Sequence, residues 1–164
     1  MHLQGAKVMI AVTIPGRERL ALEHAIFDLN GTLAVDGVLA EGVATRLSRL
    51  GRQLHCVVAS ADTHGTLKSV SERLGVEARR VERGTEKAAL LRELRDSGAG
   101  GVVAIGNGMN DLEMFREADL AIAVLGTEGT AATTLVAADL ICGSGEDAID
   151  LLLHTDRLVA TLRP

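Results

Sequence analysis

Three short apolar segments constrain the fold of this chain most, because each ends in a small or polar residue and each is followed by a helical pattern. They are HAIFD, which ends at Asp28, LHCVVAS, which ends at Ser60, and GVVAIGN, which ends at Asn107. Apolar runs of this length are typical of strands that are buried on both faces of a sheet. Strands that alternate with helices predict an α/β chain with a parallel sheet between two helical layers, a Rossmann-like three-layer fold.

The helical patterns are recognised from residues that recur on one face of a helix. These residues are Val43, Leu47 and Leu50 in the first pattern, Lys87, Leu91 and Leu94 in the second, and Leu112 and Phe115 at the start of a third. Two later segments, EADLAIAV (117–124) and AADLICGS (137–144), resemble each other and predict two consecutive helix–strand units.

The first part of the chain has strand periodicity. The alternating apolar residues are Val8, Ile10, Val12 and Ile14, then Leu20 and Leu22 after a Pro15-Gly16 turn signal. We therefore predict a β-hairpin over residues 7–22. The length of 164 residues is about that of one domain, so we expect a single domain over 1–164, with 1–23 as the hairpin extension and 24–164 as the core.

Composition excludes several functional classes. The net charge is −5 with both signs interspersed, which argues against nucleic acid or a membrane surface as a partner. No stretch approaches the roughly 18 apolar residues of a membrane span, and no signal-peptide pattern is evident, so we expect a cytoplasmic protein. Cys56 and Cys142 lie in apolar runs without metal-ligand spacing, which favours buried, reduced thiols.

The polar residues that close the predicted strands fall on one edge of the sheet. Parallel sheets bind ligands beyond the carboxyl ends of their strands, and Asp28, Ser60, Asn107 and Asp111 all fall there. Asp28 is either a nucleophile or magnesium ligand, or else a turn aspartate before Gly31. Ser60 either binds a phosphate oxygen or caps a helix.

The segment GNGMND (106–111) ends the third strand and opens a helix. Its glycines allow close approach of the backbone to a ligand, and a helix start favours anions. Asp111 is a hard oxygen ligand, and Asn107 and Asn110 offer amide oxygens and donors. A dinucleotide-binding fingerprint is the competing interpretation, but it needs a third glycine at the position of Asp111.

Lys87 begins a helix just after Gly84-Thr85. Its ammonium could neutralise charge that develops on a phosphate, whereas a lone helical lysine usually faces solvent. The chain has only three lysines against fourteen arginines. A lysine in such an arginine-rich chain favours a functional role for Lys87, since its ammonium is a compact point charge. His64 lies near the same edge and is interpreted as a surface-loop residue.

Four of these segments, in their order along the chain, resemble the motifs of the haloacid dehalogenase (HAD) superfamily of phosphatases and phosphotransferases. The first motif resembles DLNGTL at 28–33, the second Ser60 after CVVA, the third Lys87, and the fourth GNGMND at 106–111. The resemblance covers about residues 24–155. The segment 105–142 is also similar to the phosphorylation domain of P-type ATPases, so the chain resembles a soluble, P-type-ATPase-like phosphatase.

The resemblance implies a HAD-like fold, a magnesium ion (Mg²⁺) and an aspartyl-phosphate. Asp28 would attack phosphorus, and Lys87 would be the second catalytic residue. The resemblance assigns substrate binding to Asn30, Gly31, Thr32, Ser60, Ala61 and Asn110. It assigns metal binding to Asp28, Asn30 (through its backbone carbonyl), Asn107 and Asp111.

Two positions depart from the family pattern. Family phosphatases carry an aspartate at position 30, which protonates the leaving group and activates water, and Asn30 can do neither. The loss of such a group typically costs about 10²- to 10⁴-fold in rate. P-type ATPases also lack this aspartate and form a persistent aspartyl-phosphate. Asn107 replaces their metal-binding aspartate, so weaker magnesium binding is expected.

No cap domain fits the spacing of the motifs. Thirty-one residues separate Asp28 from Ser60 and twenty-six separate Ser60 from Lys87, and each gap is nearly filled by a core helix and strand. Only LAVDGVL (33–39) could form a short β flap over the site. Related capless phosphatases close the site with a neighbouring subunit or act on large substrates, so we expect a homo-oligomer such as a tetramer.

Two functions therefore remain open. One is a magnesium-dependent phosphatase or phosphotransferase of low turnover, which acts on a phosphorylated small molecule or macromolecule. The other is a non-catalytic phosphate-binding or regulatory module with the same fold.

Overall fold

The computed structural model describes residues 8–62, 65–98 and 100–164. The strands in these ranges are β1 (Ile10–Val12), β2 (Leu20–Phe27), β3 (Ala34–Val35), β4 (Val38–Leu39), β5 (His55–Ser60), β6 (Glu77–Arg80), β7 (Gly101–Gly106), β8 (Leu120–Val124) and β9 (Leu140–Cys142). The α-helices are α1 (Val43–Leu50), α2 (Leu67–Leu74), α3 (Gly84–Ser97), α4 (Leu112–Glu117), α5 (Ala132–Ala137), α6 (Gly145–Leu153) and α7 (Thr155–Leu162), and a turn of 3₁₀-helix at Met109–Asp111 precedes α4.

The main sheet is parallel in the order β6-β5-β2-β7-β8-β9, and β1 joins it antiparallel to β2. Strand β2 lies between β5 and β7, so that Phe27 at its end is paired with both Val58 and Ile105. This arrangement confirms the predicted α/β fold with a parallel sheet.

Helices cover both faces of the sheet. On one face, Phe27 and Ile105 belong to an apolar cluster with residues of α1, α2, α6 and α7. On the other face, Ile26 and Ala104 belong to a cluster with residues of α3 and α4. Successive residues of a strand point to opposite faces, so the central strands must be apolar at nearly every position. The three-layer prediction is confirmed.

The N-terminal hairpin is present, but its second strand is longer than expected. Strands β1 and β2 pair antiparallel, with Val12 opposite Leu20 and Ile10 opposite Leu22. The sequence suggested a hairpin strand followed by a separate core strand, whereas β2 runs unbroken from one into the other. The reason is that β7 lies alongside it from Leu22 onward. Residues 1–7 lie outside the described ranges.

The stretch between Asp28 and α1 forms the expected β flap. Strands β3 and β4 pair antiparallel as a two-stranded sheet of their own. The interval between Ser60 and Lys87 holds α2 and the edge strand β6. Neither interval contains a cap domain in the residues that the structure covers, as the spacing predicted.

Two further observations concern membrane-spanning helices and the two cysteines. None of the helices described is both long enough and apolar enough to cross a membrane. The cysteines are free, as expected, but only Cys56 is buried, whereas Cys142 is half-buried.

Candidate active site

The candidate site lies where β2, β5 and β7 end. Asp28 directly follows β2, and its backbone N–H donates to the carbonyl of Ile105 in β7 (2.9 Å). Its carboxylate is buried, with Oδ1 at 2.8 Å from Nζ of Lys87. The same Nζ lies 2.6 Å from Oδ1 of Asp111. One ammonium therefore joins two carboxylates that the chain carries far apart in sequence.

Lys87 reaches this position because α3 begins only three residues before it. The carboxylate of Glu86 accepts hydrogen bonds from the backbone N–H groups of Glu82 and Arg83, which fixes the start of the helix. The Lys87 side chain is 1 % exposed. The sequence left open whether Lys87 faces solvent or has a functional role. The prediction that it faces solvent is wrong.

Asp111 closes the turn that follows β7. Its Oδ2 accepts hydrogen bonds from the backbone N–H groups of Asn107 and Gly108, both at 2.9 Å. Because Oδ1 accepts from Lys87, both carboxylate oxygens have partners, and the fully buried side chain is satisfied. The turn and the ammonium are thus held by the same carboxylate.

Two carboxylates around one ammonium set the electrostatics of the site. Burial raises the pKa of Asp28, the nearby Asp111 raises it further, and Lys87 opposes both, so that the pKa rises from 3.8 to about 7. Burial alone would lower the pKa of Lys87, but the charges of Asp28 and Asp111 outweigh burial and raise it. Lys87 therefore stays cationic, while Asp28 is poised between its two protonation states near neutral pH.

The turn after Asp28 brings Asn30, Gly31 and Thr32 together. Oδ1 of Asn30 is buried and has no hydrogen-bond partner among the described residues. Gly31 has a φ of 80°, and a side chain there would also strike the Asn107 carboxamide. The hydroxyl of Thr32 donates to Oδ1 of Asn107 (3.3 Å).

Ser60 ends β5 beside Asp28 and is buried. Its hydroxyl oxygen accepts from the backbone N–H of Asp62 (3.1 Å), and it does not cap α2. The cap-like contact comes from Asp62, whose carboxylate accepts from the N–H of Leu67 (2.8 Å). Sequence reasoning missed Asp62, although an aspartate shortly before an apolar helical stripe is a recognised signal. His64 lies outside the described residues.

The remaining expected site residues differ in exposure. Asn107 is buried and its carboxamide is engaged by Thr32 and by the carbonyl of Gly129. Asn110 is exposed at the rim, and Ala61 is half-buried after Ser60. The structure therefore brings together all the sequence-predicted site residues at one edge, with Asn110 and Ala61 at its periphery.

The oxygen donors fit a hard divalent cation. Asp28 and Asn30 offer carboxylate and carboxamide oxygens, and the buried Oδ1 of Asn30 lacks any partner in the described part of the chain. Oxygen ligands of this kind suit Mg²⁺ rather than softer metals. Within residues 8–62, 65–98 and 100–164 there is no cluster of three or more His, Cys, Asp or Glu side chains suited to a metal. The two carboxylates at the site, Asp28 and Asp111, both contact Lys87.

Comparison with known sequences gives two matches. A family model described as haloacid dehalogenase-like hydrolase matches residues 81–148, which include Lys87 and the GNGMND segment. An uncharacterised protein of Methanocaldococcus jannaschii is 41 % identical over 88 residues, which are 51 % of this chain and 95 % of that protein.

Solved structures share the fold at low sequence identity. Phosphoserine phosphatase in its apo form has a TM-score of 0.66 at 16 % identity and covers 81 % of this chain and 98 % of its own. The 3-deoxy-D-manno-octulosonate 8-phosphate phosphatase of Moraxella catarrhalis, crystallised with magnesium, phosphate and KDO, has a TM-score of 0.64 at 16 % identity over 87 % of this chain and 94 % of its own.

The catalytic domain of a CPx-ATPase is also similar in fold. The catalytic domain of the CPx-ATPase CopB-B has a TM-score of 0.59 at 22 % identity, and covers 71 % of this chain and 45 % of its own. The haloacid dehalogenase-like family model, the fold and the four motif segments at one sheet edge agree, and on these grounds the chain, which has no cap domain in its described residues, belongs to the haloacid dehalogenase superfamily.

Proposed function

We propose that this protein is a magnesium-dependent phosphatase or phosphotransferase that works through an aspartyl-phosphate on Asp28. An oxygen of the Asp28 carboxylate forms a bond to phosphorus as the bond from phosphorus to the leaving-group oxygen breaks. The phosphatases that share the fold act on different phosphate esters, so the fold supports the reaction class and leaves the substrate open.

The observation that carries the proposal is the contact of Lys87 with Asp28. A buried ammonium at 2.8 Å from the carboxylate orients the nucleophile and offsets negative charge as a phosphoryl group approaches. Asp111 holds the same ammonium from the other side. Mg²⁺, held by Asp28 and Asn30 beside Asp111, would supply the positive charge that favours ionised Asp28 and binds the phosphoryl oxygens.

Asn30 makes the second half of the reaction slow in this proposal. A carboxamide neither gives up a proton to a leaving group nor takes one from water. Hydrolysis of the aspartyl-phosphate therefore lacks a general base, at a typical cost of about 10²- to 10⁴-fold. Substrates whose leaving groups need no proton, such as acyl phosphates, should react best. A persistent phosphoenzyme is the expected result.

The short flap is not expected to close the site by itself. Val35 and Val38 of the flap and Leu125 after β8 are exposed near the same sheet edge. Closure by a second subunit, in a homo-oligomer such as a tetramer, or by a large phosphorylated substrate, would cover this surface and exclude water. The oligomer and a cytoplasmic location remain expectations from the sequence.

The test is intact-protein mass spectrometry after the protein is mixed with Mg²⁺ and acetyl phosphate or p-nitrophenyl phosphate, with product release followed in the same sample. We expect a phosphoryl adduct that is absent from Asp28→Asn and that outlasts the burst of product. Steady product release would mean that another group supplies the base and that Asn30 does not limit turnover.

A non-catalytic phosphate-binding module is the alternative outcome of the same experiment. It predicts that folded protein binds Mg²⁺ and phosphate but gives neither adduct nor product on acyl, aryl or alkyl phosphates. The buried Asp28–Lys87 pair argues against it, because a binding role does not require a nucleophilic carboxylate beside the ammonium.

A further inference from the structure

The carboxamide of Asn107 connects two segments that are otherwise far apart in sequence. Its Nδ2 donates to the backbone carbonyl of Gly129 at 3.0 Å. Its Oδ1 accepts from the hydroxyl of Thr32 at 3.3 Å. Asn107 is 8 % exposed, so these contacts are shielded from solvent. The side chain therefore lies as a bridge between the turn after Asp28 and the loop after β8.

The chemistry of the partners fixes which way the carboxamide points. The carbonyl of Gly129 can only accept a hydrogen bond, so the atom that faces it must be the Nδ2 donor. The other end is then the oxygen, and the Thr32 hydroxyl must donate to it. An aspartate in this place would bring a carboxylate oxygen against the Gly129 carbonyl with no proton between them.

The loop of residues 126–131 is held to the GNGMND segment by further bonds. The backbone carbonyl of Asn107 accepts from the N–H of Ala131 (2.8 Å). The hydroxyl of the fully buried Thr134, at the start of α5, donates to the carbonyl of Gly108 (2.9 Å). Asn107 thus holds the loop through both its main chain and its side chain.

The turn after Asp28 packs closely on the same loop. A side-chain carbon at Gly126 would come within 2.9 Å of the carbonyl oxygen of Gly31. The Asn107 carboxamide fills the space beside Gly31 itself. The turn, the carboxamide and the loop therefore form one packed unit next to the nucleophile.

We propose that Asn107 is a positioning residue, which fixes the turn after Asp28 through Thr32 and Gly129, and that it is not a cation ligand. The proposal rests on the phosphoryl-transfer function argued above, and it differs from the metal-binding role that the family resemblance assigns to this position. The amide satisfies both partners because it offers a donor to the Gly129 carbonyl and an acceptor to the Thr32 hydroxyl, whereas an ionised carboxylate offers acceptors only.

The decisive variant is Asn107→Asp, because the two roles predict opposite results. A cation ligand would gain a charge, and Mg²⁺ would bind at least tenfold more tightly by isothermal titration calorimetry. A positioning residue would lose its bond to Gly129, so Mg²⁺ binding would not tighten. Amide hydrogen exchange in peptides covering 126–131 would then rise by tenfold or more, measured without substrate. Phosphoenzyme formation from acetyl phosphate would slow by about tenfold or more.

Two further variants complete the test. Asn110→Asp adds the same charge at the same edge on an exposed side chain, and it should leave exchange in residues 126–131 unchanged. Thr32→Val removes the donor to Oδ1 while keeping the shape, and it should slow phosphoenzyme formation without a change in Mg²⁺ affinity. Tighter Mg²⁺ binding by Asn107→Asp with unchanged loop exchange would overturn the proposal. If the wild type forms no phosphoenzyme, the function fails, but the exchange and calorimetry still decide the role of Asn107.

Discussion

The ammonium of Lys87 lies 2.6 Å from Oδ1 of Asp111 and 2.8 Å from Oδ1 of Asp28, with only 1 % of the lysine side chain exposed. Two buried carboxylates so close together would repel each other without this cation. The ammonium is therefore a structural requirement of the site as well as a candidate catalytic group.

Replacement of Lys87 by methionine tests this requirement. We expect Lys87→Met to lower the free energy of unfolding by about 3–5 kcal/mol at pH 8, because it leaves uncompensated buried carboxylates. The loss should be smaller at pH 5, where protonation relieves the repulsion. Urea denaturation at the two pH values measures both effects. Lys68→Met, at an exposed position of α2, is the matched control, and an equal loss in both variants would contradict the argument.

The stability of the protein should depend on pH through Asp28. Its pKa is about 7 in the folded protein against 3.8 as the ordinary value, so the folded state binds this proton more tightly than the unfolded chain. The stabilisation from this group is present below about pH 4 and is lost as the pH rises through 7. Asp28→Asn should therefore melt at a higher temperature than the wild type above pH 7, with the difference shrinking toward pH 4.

Thermal melts between pH 4 and pH 8 in the presence of a metal chelator measure this difference. Asp36→Asn, which makes the same change at an exposed position in the turn of the flap, serves as the control. A gain for Asp28→Asn that is constant across the whole range would mean that burial does not perturb Asp28.

Position 30 should control the fate of the phosphoenzyme. Asn30→Asp restores a group that can give and take a proton, so hydrolysis of alkyl phosphates should rise by about 10²-fold or more. Acetyl phosphate, which has a good leaving group, should show a smaller gain in the formation of the adduct. Steady-state rates on both substrates test this. The absence of any rise in a variant with a wild-type melting temperature would refute the proposed role of Asn30.

The hydroxyl of Thr134 should contribute to the stability of the unit next to the site. It donates to the carbonyl of Gly108 at 2.9 Å and is fully buried. Thr134→Val keeps the shape but leaves that carbonyl without this donor, which should cost about 1–3 kcal/mol in urea denaturation. Thr133→Val, at the exposed neighbouring position, should change the stability by less than about 0.5 kcal/mol. Equal effects would mean that the bond does not stabilise the fold.

The sequence predicted the placement of Asp28, Ser60 and Asn107 because buried parallel strands carry an unmistakable apolar pattern and end at the same edge. The spacing between Ser60 and Lys87 predicted a helix and a strand in that interval, which are α2 and β6, but the sequence did not give their bounds. Strand β6 (EARR) lies at the edge of the sheet and is only half-buried, so no apolar run marks it. A local pattern cannot identify a strand that is stabilised mainly by its pairing with β5.

The burial of Lys87 and the engagement of Asn107 could not be predicted for a different reason. The partners of Lys87 are Asp28 and Asp111, and the partner of the Asn107 amide nitrogen is the backbone of Gly129. These contacts join distant segments, and a backbone carbonyl has no sequence signature. A residue type alone does not tell whether its charge or its amide will find such a partner in the fold.

The continuity of β2 has a consequence for the order in which the protein folds. Asp28 stands at the end of a strand whose neighbours, β1, β5 and β7, come from the beginning, the middle and the later part of the chain. The pairings of β2 with β5 and β7 join distant segments and form late, since a long loop must close before they are made. A chain emerging from the ribosome therefore cannot bring Asp28 against Lys87 until β2, β5 and β7 are paired, so the buried ion pair is among the last parts of the molecule to form.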